Sequence, residues 1–207
     1  MRSLVIDTSN RYLVIAMYEN DQLLEAISEV GSQRQSENAI PYIEKLLNQL
    51  GLELFDFDEL IVTCGPGSYT GVRVGLTIVK TLKTVRPSFK VKMISSLAAY
   101  AGKEGKKISV IDARSKKVFV GIYQQGKEVV PEQMVDISAF ETLLCQYPDY
   151  EVVGQGDIVG IEVKESCIYQ NMYDLAKEIE AVTSVHALLP KYIKDVEAKK
   201  IWQPQEK

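Results

Sequence analysis

Two aspartates at the ends of apolar runs are the groups in this sequence best placed for chemistry. Asp7 and Asp112 each follow a short β-branched segment, and a carboxylate at the end of a buried strand can approach Mg²⁺ and a phosphate. Asp is also a common turn residue after a strand. The turns after these two residues, 8–10 and 113–115, lack the glycines that let a backbone wrap closely around phosphate.

Other catalytic chemistry is limited by what the sequence lacks. His186 is the only histidine, so a zinc centre with two histidines is excluded within one chain, and a packed or capping histidine is expected there. Glu37 could act as an acid or base, but no spacing pairs it with Asp7 or Asp112. Three cysteines at unrelated spacings favour a reducing cytosol over a disulfide framework or a zinc site, and no metal is expected.

A glycine-rich loop, residues 65–71, joins a strand pattern to a helical one. Ser68 or Thr70 is placed to cap that helix, and its backbone N–H groups would suit an anion. The loop matches neither common phosphate fingerprint, since Thr70 and Gly71 stand where a Walker A loop needs Gly and Lys. The anion or nucleotide contacts that this loop and the two aspartates suggest are Asp7, Ser68, Thr70, Arg73 and Asp112.

The helix after the loop has an unusually wide apolar arc. Its polar stripe is narrow, with Arg73, Thr77, Lys80 and Thr84 at spacings of four, three and four. An arc this wide indicates cover on two sides. One reading places the helix wholly inside its own domain, which the helix alone favours; the other places one face on its sheet and the other on a partner protein. Gly71 and Gly75 would let another backbone approach closely.

Composition places the chain among globular proteins. The 207 residues are 46% hydrophobic, enough for one large domain or two lobes. A net charge of −4 argues against a broad nucleic-acid surface, so RNA contact would be local or shared. No apolar run reaches the length of a membrane span, and the sequence starts directly on a strand pattern. We therefore expect a cytoplasmic protein without a membrane partner.

An internal repeat gives the architecture. Shifted by 105 residues, the sequence around Asp7 and Tyr18 matches that around Asp112 and Tyr123 without a gap. Each half opens with a three-stranded meander, which predicts an α/β, duplicated ribonuclease-H-like fold (actin-like ATPase, ASKHA), with two lobes of mixed sheet and helices. The predicted lobes are residues 1–102 and 103–207, and Asp7 should superpose on Asp112. Helices are expected at 32–50, 70–85, 139–144 and 171–182, and a strand at 150–153.

Several motifs occur in the order found in one family. They are Ile6-Asp7-Thr8-Ser9, Gln35-Ser36-Glu37-Asn38-Ala39-Ile40-Pro41, the run from Gly65 to Gly75, Ser95-Ser96-Leu97-Ala98, Asp112-Ala113-Arg114 and Pro190-Lys191-Tyr192. Over nearly the whole chain the sequence resembles the TsaB (YeaZ) family. The resemblance implies a non-catalytic subunit, without a cofactor of its own, that works with TsaD and the ATPase TsaE to place threonylcarbamoyl on N6 of adenosine 37 in tRNA. ATP and Mg²⁺ would then act on the partners, and tRNA would be met only through the complex.

The resemblance also implies an interface. The family pairs with TsaD, or with itself as a homodimer, through its first two helices, here 32–50 and 70–85. That favours the partner reading of the wide apolar arc, with Val74, Ile78 and Val85 toward the partner and Val72, Leu76 and Val79 toward the sheet. The interface residues so implied are Ile40, Ile43, Leu47, Gly71, Val74, Gly75, Ile78 and Val85. Gln35 departs from the family pattern, where many relatives have His, which removes even a vestigial metal ligand.

Three hypotheses for function remain open. The first is the non-catalytic subunit of the tRNA-modifying complex. The second is an actin-fold ATPase or kinase acting alone, against which the missing phosphate-loop glycines weigh. The third is a metallopeptidase of the glycoprotease type, an older label from the same superfamily, which the single histidine nearly eliminates.

Overall fold

The first half of the chain forms a five-stranded mixed sheet. In this computed structural model, which describes residues 1–30 and 35–193, the strands are β1 (Arg2–Asp7), β2 (Tyr12–Glu19), β3 (Gln22–Val30), β4 (Glu59–Thr63) and β5 (Lys90–Ile94). Their order is β3-β2-β1-β4-β5, and β4 runs parallel to both β1 and β5. The meander β1–β3, predicted from apolar runs separated by polar turns, is confirmed.

Two helices cover one face of this sheet. They are α1 (Gln35–Leu50), which contains Pro41, and α2 (Tyr69–Val85). Alternate residues of β1, Leu4 and Ile6, lie in the core that these helices close. The start predicted for the first of these helices, at residue 32, lies outside the described residues.

The second half repeats the meander. Its strands β6 (Lys106–Arg114), β7 (Lys117–Gln124), β8 (Lys127–Asp136) and β9 (Glu151–Gly154) form a sheet in the order β8-β7-β6-β9. Helix α4 (Ile137–Gln146) packs its buried Phe140 into the core beneath that sheet. This confirms the duplicated ribonuclease-H-like fold.

Two further helices lie between the sheets, and each packs on the sheet of the other half. Helix α3 (Ser96–Ala101) contacts β6, β7 and β9, whereas α5 (Ile168–Ala176) contacts β1, β2, β4 and β5. The two helices share one buried core. The helix predicted at 171–182 thus begins earlier and ends at Ala176, and Val182 forms a β-bridge with Val91 instead. None of the helices in the described ranges is both long and apolar enough to cross a membrane.

The match at a shift of 105 residues holds in the structure for the second strand of each meander, β2 and β7. It does not hold for the first strand, β1 and β6. Tyr18 and Tyr123 both enter the core between the sheets. Asp7 pairs with Val14, four residues before Tyr18, whereas Phe119, four residues before Tyr123, pairs with Ile111. The irregularity between Asp112 and Arg114 absorbs the extra residue. The predicted superposition of Asp7 on Asp112 is therefore wrong by one residue, which puts Asp112 on the opposite side of its strand.

Candidate functional site

Asp7 is buried at the end of β1, with an exposed fraction of only 1%. Its Oδ1 atom accepts hydrogen bonds from the Ser9 backbone N–H at 2.8 Å, the Ser9 hydroxyl at 2.6 Å and the Thr63 hydroxyl at 2.6 Å. The Ser9 hydroxyl also lies 2.8 Å from that of Ser96. The carboxyl group thus links the β1–β2 turn to β4, and through Ser9 to α3, as a structural anchor.

Burial raises the pKa of Asp7, although hydrogen bonds from Ser9 and Thr63 act in the opposite direction. Because its folded-state pKa lies above its unfolded value, the stability that Asp7 contributes is fully present below the unfolded pKa. That contribution is lost as the pH rises through the folded-state pKa.

Replacing Asp7 with Asn should therefore increase stability near neutral pH. The amide keeps an oxygen acceptor for Ser9 and Thr63 but carries no charge to desolvate. Urea unfolding between about pH 4 and pH 8 should show a flatter pH dependence than in the parent chain. Asp149→Asn, at an exposed carboxyl, is the control for loss of one charge. A neutral-pH loss of stability in Asp7→Asn alone would contradict this account.

The glycine-rich loop is filled by the chain itself. The Ser68 backbone N–H donates to the Ser9 carbonyl at 2.7 Å, and a Cβ atom on Gly67 would lie 2.3 Å from that same oxygen. The Thr8 hydroxyl donates to the Gly71 carbonyl at 2.6 Å and accepts from the Gly75 N–H at 3.1 Å. The β1–β2 turn therefore lies directly against the loop and the first turns of α2, in the space where a close backbone cradle for phosphate would be needed.

This packing corrects part of the predicted interface. Gly71 and Gly75 are buried, and they admit the chain's own Thr8 rather than the backbone of a partner. Ile43 also belongs to the core of the first lobe, with an exposed fraction of 5%. Leu47 is half-buried against that core.

The predicted anion contacts do not come together around one site. Ser68 caps α2 by accepting from the Gly71 N–H at 3.2 Å, whereas Thr70 is exposed and does not cap. Arg73 lies with its guanidinium 3.9 Å from the centre of the Tyr69 ring. Asp112 accepts from the Arg114 backbone N–H at 2.7 Å and pairs with its guanidinium at 3.4 Å. Within the described ranges, none of the hydrogen bonds or ion pairs of Asp112 is to a partner of Asp7.

Metal ligation has no centre in the part of the chain that the structure describes, and the one buried thiol there is unreactive. No cluster of three or more His, Cys, Asp or Glu side chains there could hold an ion. His186 is exposed in a short 3₁₀ turn, so of its two predicted roles, packed or capping, the packed one is wrong. Cys64 is buried, and that burial raises the pKa of its thiol to about 11. Such a thiol is a poor nucleophile at neutral pH.

An open groove lies between α1 and α2. It has a volume of about 320 Å³ and an almost wholly apolar wall. Two of its large side chains are more than half exposed, Ile40 at 55% and Tyr69 at 56%. The lining residues are Ile40, Tyr69, Thr70, Arg73, Val74, Thr77 and Ile78.

The two apolar faces of α2 fall as the periodicity predicts. Val72, Leu76 and Val79 are buried on the sheet. Val74 and Ile78 line the groove, and Val85 is 65% exposed at the end of the helix. That a partner covers this second face stays a prediction.

Two aromatic groups of this region were missed by sequence reasoning. Tyr69 lines the groove, and its ring lies 5.9 Å from that of Tyr192. Arg73 donates from Nε to the Tyr192 hydroxyl at 3.0 Å. Both tyrosines lie within motifs that the sequence does show, but only their exposure marks them as candidates for binding.

Comparisons with known proteins agree with this geometry. The family model described as "TsaD: tRNA N6-adenosine threonylcarbamoyltransferase" matches residues 27–161. The tRNA threonylcarbamoyladenosine biosynthesis protein TsaB of Bacillus subtilis (strain 168) is 30% identical over the full length of both chains. TsaB of Escherichia coli (strain K12) is 30% identical over 61% of this chain and 57% of its own.

A solved structure shows the same fold. YeaZ from Pseudomonas aeruginosa superposes with a TM-score of 0.73 at 22% identity, covering 92% of this chain and 99% of that one. Together with the full-length match to a curated relative, this fold shows that the chain belongs to the TsaB (YeaZ) family of tRNA threonylcarbamoyladenosine biosynthesis proteins.

Proposed function

We propose that this protein is a non-catalytic subunit that pairs with a TsaD-type catalytic subunit in the threonylcarbamoylation of tRNA. The observation that carries the proposal is the packing around Asp7, where the chain's own β1–β2 turn fills the glycine-rich loop. ATP and Mg²⁺ then act on the TsaD-type and TsaE-type partners, and this chain needs no cofactor. It meets tRNA as part of the complex, in the cytoplasm.

The surroundings of Asp7 favour a structural role over catalysis. A Mg²⁺ ion bound at a carboxylate usually keeps several water ligands and contacts substrate phosphates. Asp7 is almost wholly shielded from solvent, and one of its oxygens already accepts three hydrogen bonds from Ser9 and Thr63. Admitting a hydrated ion would require the β1–β2 turn to leave the loop.

The α1–α2 groove is the surface best suited to the partner. Exposed apolar side chains that are contiguous mark interaction surfaces in soluble proteins. The exposed Ile40 and the half-buried Val74 and Ile78 supply such a patch. Tyr69 and Arg73 are of the residue types that contribute most to binding energy at interfaces. In the absence of the partner the same face can pair with a second copy of the chain, because a two-fold dimer uses one patch on both subunits.

The proposal is tested by reconstitution. ATP hydrolysis and threonylcarbamoyl incorporation into tRNA would be measured for the chain alone, for TsaD-type and TsaE-type subunits without it, and for all three together. We expect no turnover by the chain alone and full activity only in the complete mixture, with Asp7→Asn as active as the parent chain. Turnover by the isolated chain that Asp7→Asn abolishes would instead support the stand-alone ATPase.

A further inference from the structure

Residues 188–193 form a segment that contacts both lobes, here called the crossing segment. Leu188 is buried in the core of the first lobe, whereas Ile193 packs on the core that lies between the two sheets. Between these two residues, the Lys191 backbone N–H donates to the Cys64 carbonyl at 2.7 Å. The backbone of the crossing segment is therefore attached to the first lobe just after β4, beside the glycine-rich loop.

The side chain of Lys191 reaches a buried carboxylate of the second lobe. Glu132 lies on β8 with its side chain only 1% exposed, and the Lys191 ammonium is 2.9 Å from its Oε2 atom. The other oxygen, Oε1, accepts hydrogen bonds from the hydroxyls of Ser95 and Tyr123. Oε2 has no hydrogen-bond partner among the described residues, so the ammonium of Lys191 alone compensates its burial. Because a buried charge needs such compensation, the contact holds the Lys191 side chain on the second lobe.

The neighbouring Tyr192 contacts the rim of the α1–α2 groove instead. Its ring stacks on that of Tyr69 at a centroid distance of 5.9 Å, and its hydroxyl accepts from Arg73 Nε at 3.0 Å. Tyr69 and Arg73 both line the groove. Tyr192 therefore restricts two groove side chains whose residue types contribute strongly to binding at interfaces.

We propose that Glu132 is a positioning residue for the partner interface, although it lies in the other lobe and is shielded from solvent. It holds the side chain of Lys191, whose backbone continues directly into Tyr192 and so keeps Tyr192 against the groove. Tyr69 and Arg73 are then ordered before the partner arrives, and binding loses less entropy in ordering them. The effect on binding rests on the proposed function, whereas the placement of the crossing segment by Glu132 does not.

Placement is tested in the isolated full chain by hydrogen exchange at the amide of residue 191. Glu132→Gln keeps an oxygen acceptor for the two hydroxyls but removes the charge that pairs with Lys191. We expect protection of this amide to fall at least about twofold in Glu132→Gln and in Lys191→Met, with unchanged protection in α2. Glu151→Gln breaks the more exposed pair with Lys107 in the same lobe. It is the control and should leave the amide as protected as in the parent chain.

The effect on binding is measured by titration with the TsaD-type partner. Substitutions that touch no ligand change the coupling between sites by a factor of roughly 2 to 30, so Glu132→Gln should weaken binding within that range and Glu151→Gln should not. Tyr192→Ala removes the contact through which Glu132 acts. In a Tyr192→Ala background, Glu132→Gln should therefore cause no further loss of affinity, which a merely structural role for Glu132 does not predict.

Either of two results would overturn the proposal. Unchanged protection of the residue 191 amide in both Glu132→Gln and Lys191→Met would show that Glu132 does not hold the crossing segment. Full additivity of Glu132→Gln and Tyr192→Ala would show that Glu132 affects binding by another route. If the parent chain itself binds no partner, the proposed function is wrong, and the exchange result still decides whether Glu132 holds the crossing segment.

Discussion

Replacing Ile78 with Glu should abolish binding of the TsaD-type partner and leave the fold intact. Ile78 lines the α1–α2 groove and is only half-buried in the isolated chain, so a carboxylate there stays hydrated until a partner covers it. An unpaired charge buried at the interface costs about 3 kcal/mol or more. Since about 1.4 kcal/mol is a tenfold change, we expect affinity to fall by at least about a hundredfold, measured by size exclusion and titration with the partner present.

Leu76→Glu is the matched variant on the other face of α2. Leu76 is buried against the sheet in the core of the first lobe. Its replacement loses the packing of a buried leucine, about 2–5 kcal/mol, and adds an unpaired buried charge. Because whole domains are stable by only about 5–15 kcal/mol, this variant should fail to fold cooperatively in a thermal melt.

Thr84→Glu adds the same charge on the exposed polar stripe of α2. It should change neither the binding of the partner nor the folding of the chain. If Ile78→Glu still assembles with the partner, the groove is not the interface. If Ile78→Glu unfolds while Leu76→Glu is tolerated, the two faces of α2 are reversed.

The architecture could be predicted because it depends on patterns that are local in sequence. Short apolar runs separated by polar turns indicate the meanders, and the match between Tyr18 and Tyr123 identifies the duplication. The faces of α2 follow from the 3.6-residue period alone, which separates Leu76 from Ile78.

The details of the candidate site could not be predicted, because they depend on contacts between distant segments. An ungapped alignment places Asp7 on Asp112, but the irregularity after Asp112 shifts the first strand by one residue and turns that carboxylate to the other side. In the same way, the crossing of α5 onto the first sheet depends on tertiary packing that no periodicity reports.

The glycines of α2 show most clearly that a sequence pattern does not identify which segment makes a contact. The spacing of Gly71 and Gly75 indicates that a backbone comes close to α2, but it does not say whose backbone. The structure shows that it is the chain's own, at Thr8.

Gly71→Ala should therefore destabilise the isolated chain strongly. A Cβ atom on Gly71 would lie 2.0 Å from the Thr8 carbonyl oxygen, and a main-chain atom cannot move aside by rotating a side chain. The β1–β2 turn would have to separate from α2, with loss of the hydrogen bonds from Ser68 to Ser9 and from Gly75 to Thr8. Overpacking destabilises the fold by about 1–3 kcal/mol, and each lost hydrogen bond destabilises it by about 1 kcal/mol. Together these losses outweigh the gain of about 1 kcal/mol from the higher helix propensity of alanine.

Gly75→Ala is the matched variant that distinguishes packing of the glycines against Thr8 from contact with a partner. Its Cβ atom would meet the Thr8 hydroxyl at 2.9 Å and a Val62 methyl at 3.3 Å, both side-chain atoms that can shift. For a chain of this length about 1 kcal/mol changes the melting temperature by about 2–4 °C. A net loss of about 2–4 kcal/mol should therefore lower the melting temperature of Gly71→Ala by roughly 4–16 °C, whereas Gly75→Ala should melt within a few degrees of the parent. If the glycines faced a partner instead, both alanines would stabilise the isolated chain by raising helix propensity and would weaken only its assembly. A melting temperature for Gly71→Ala at or above that of the parent would therefore return these residues to the interface.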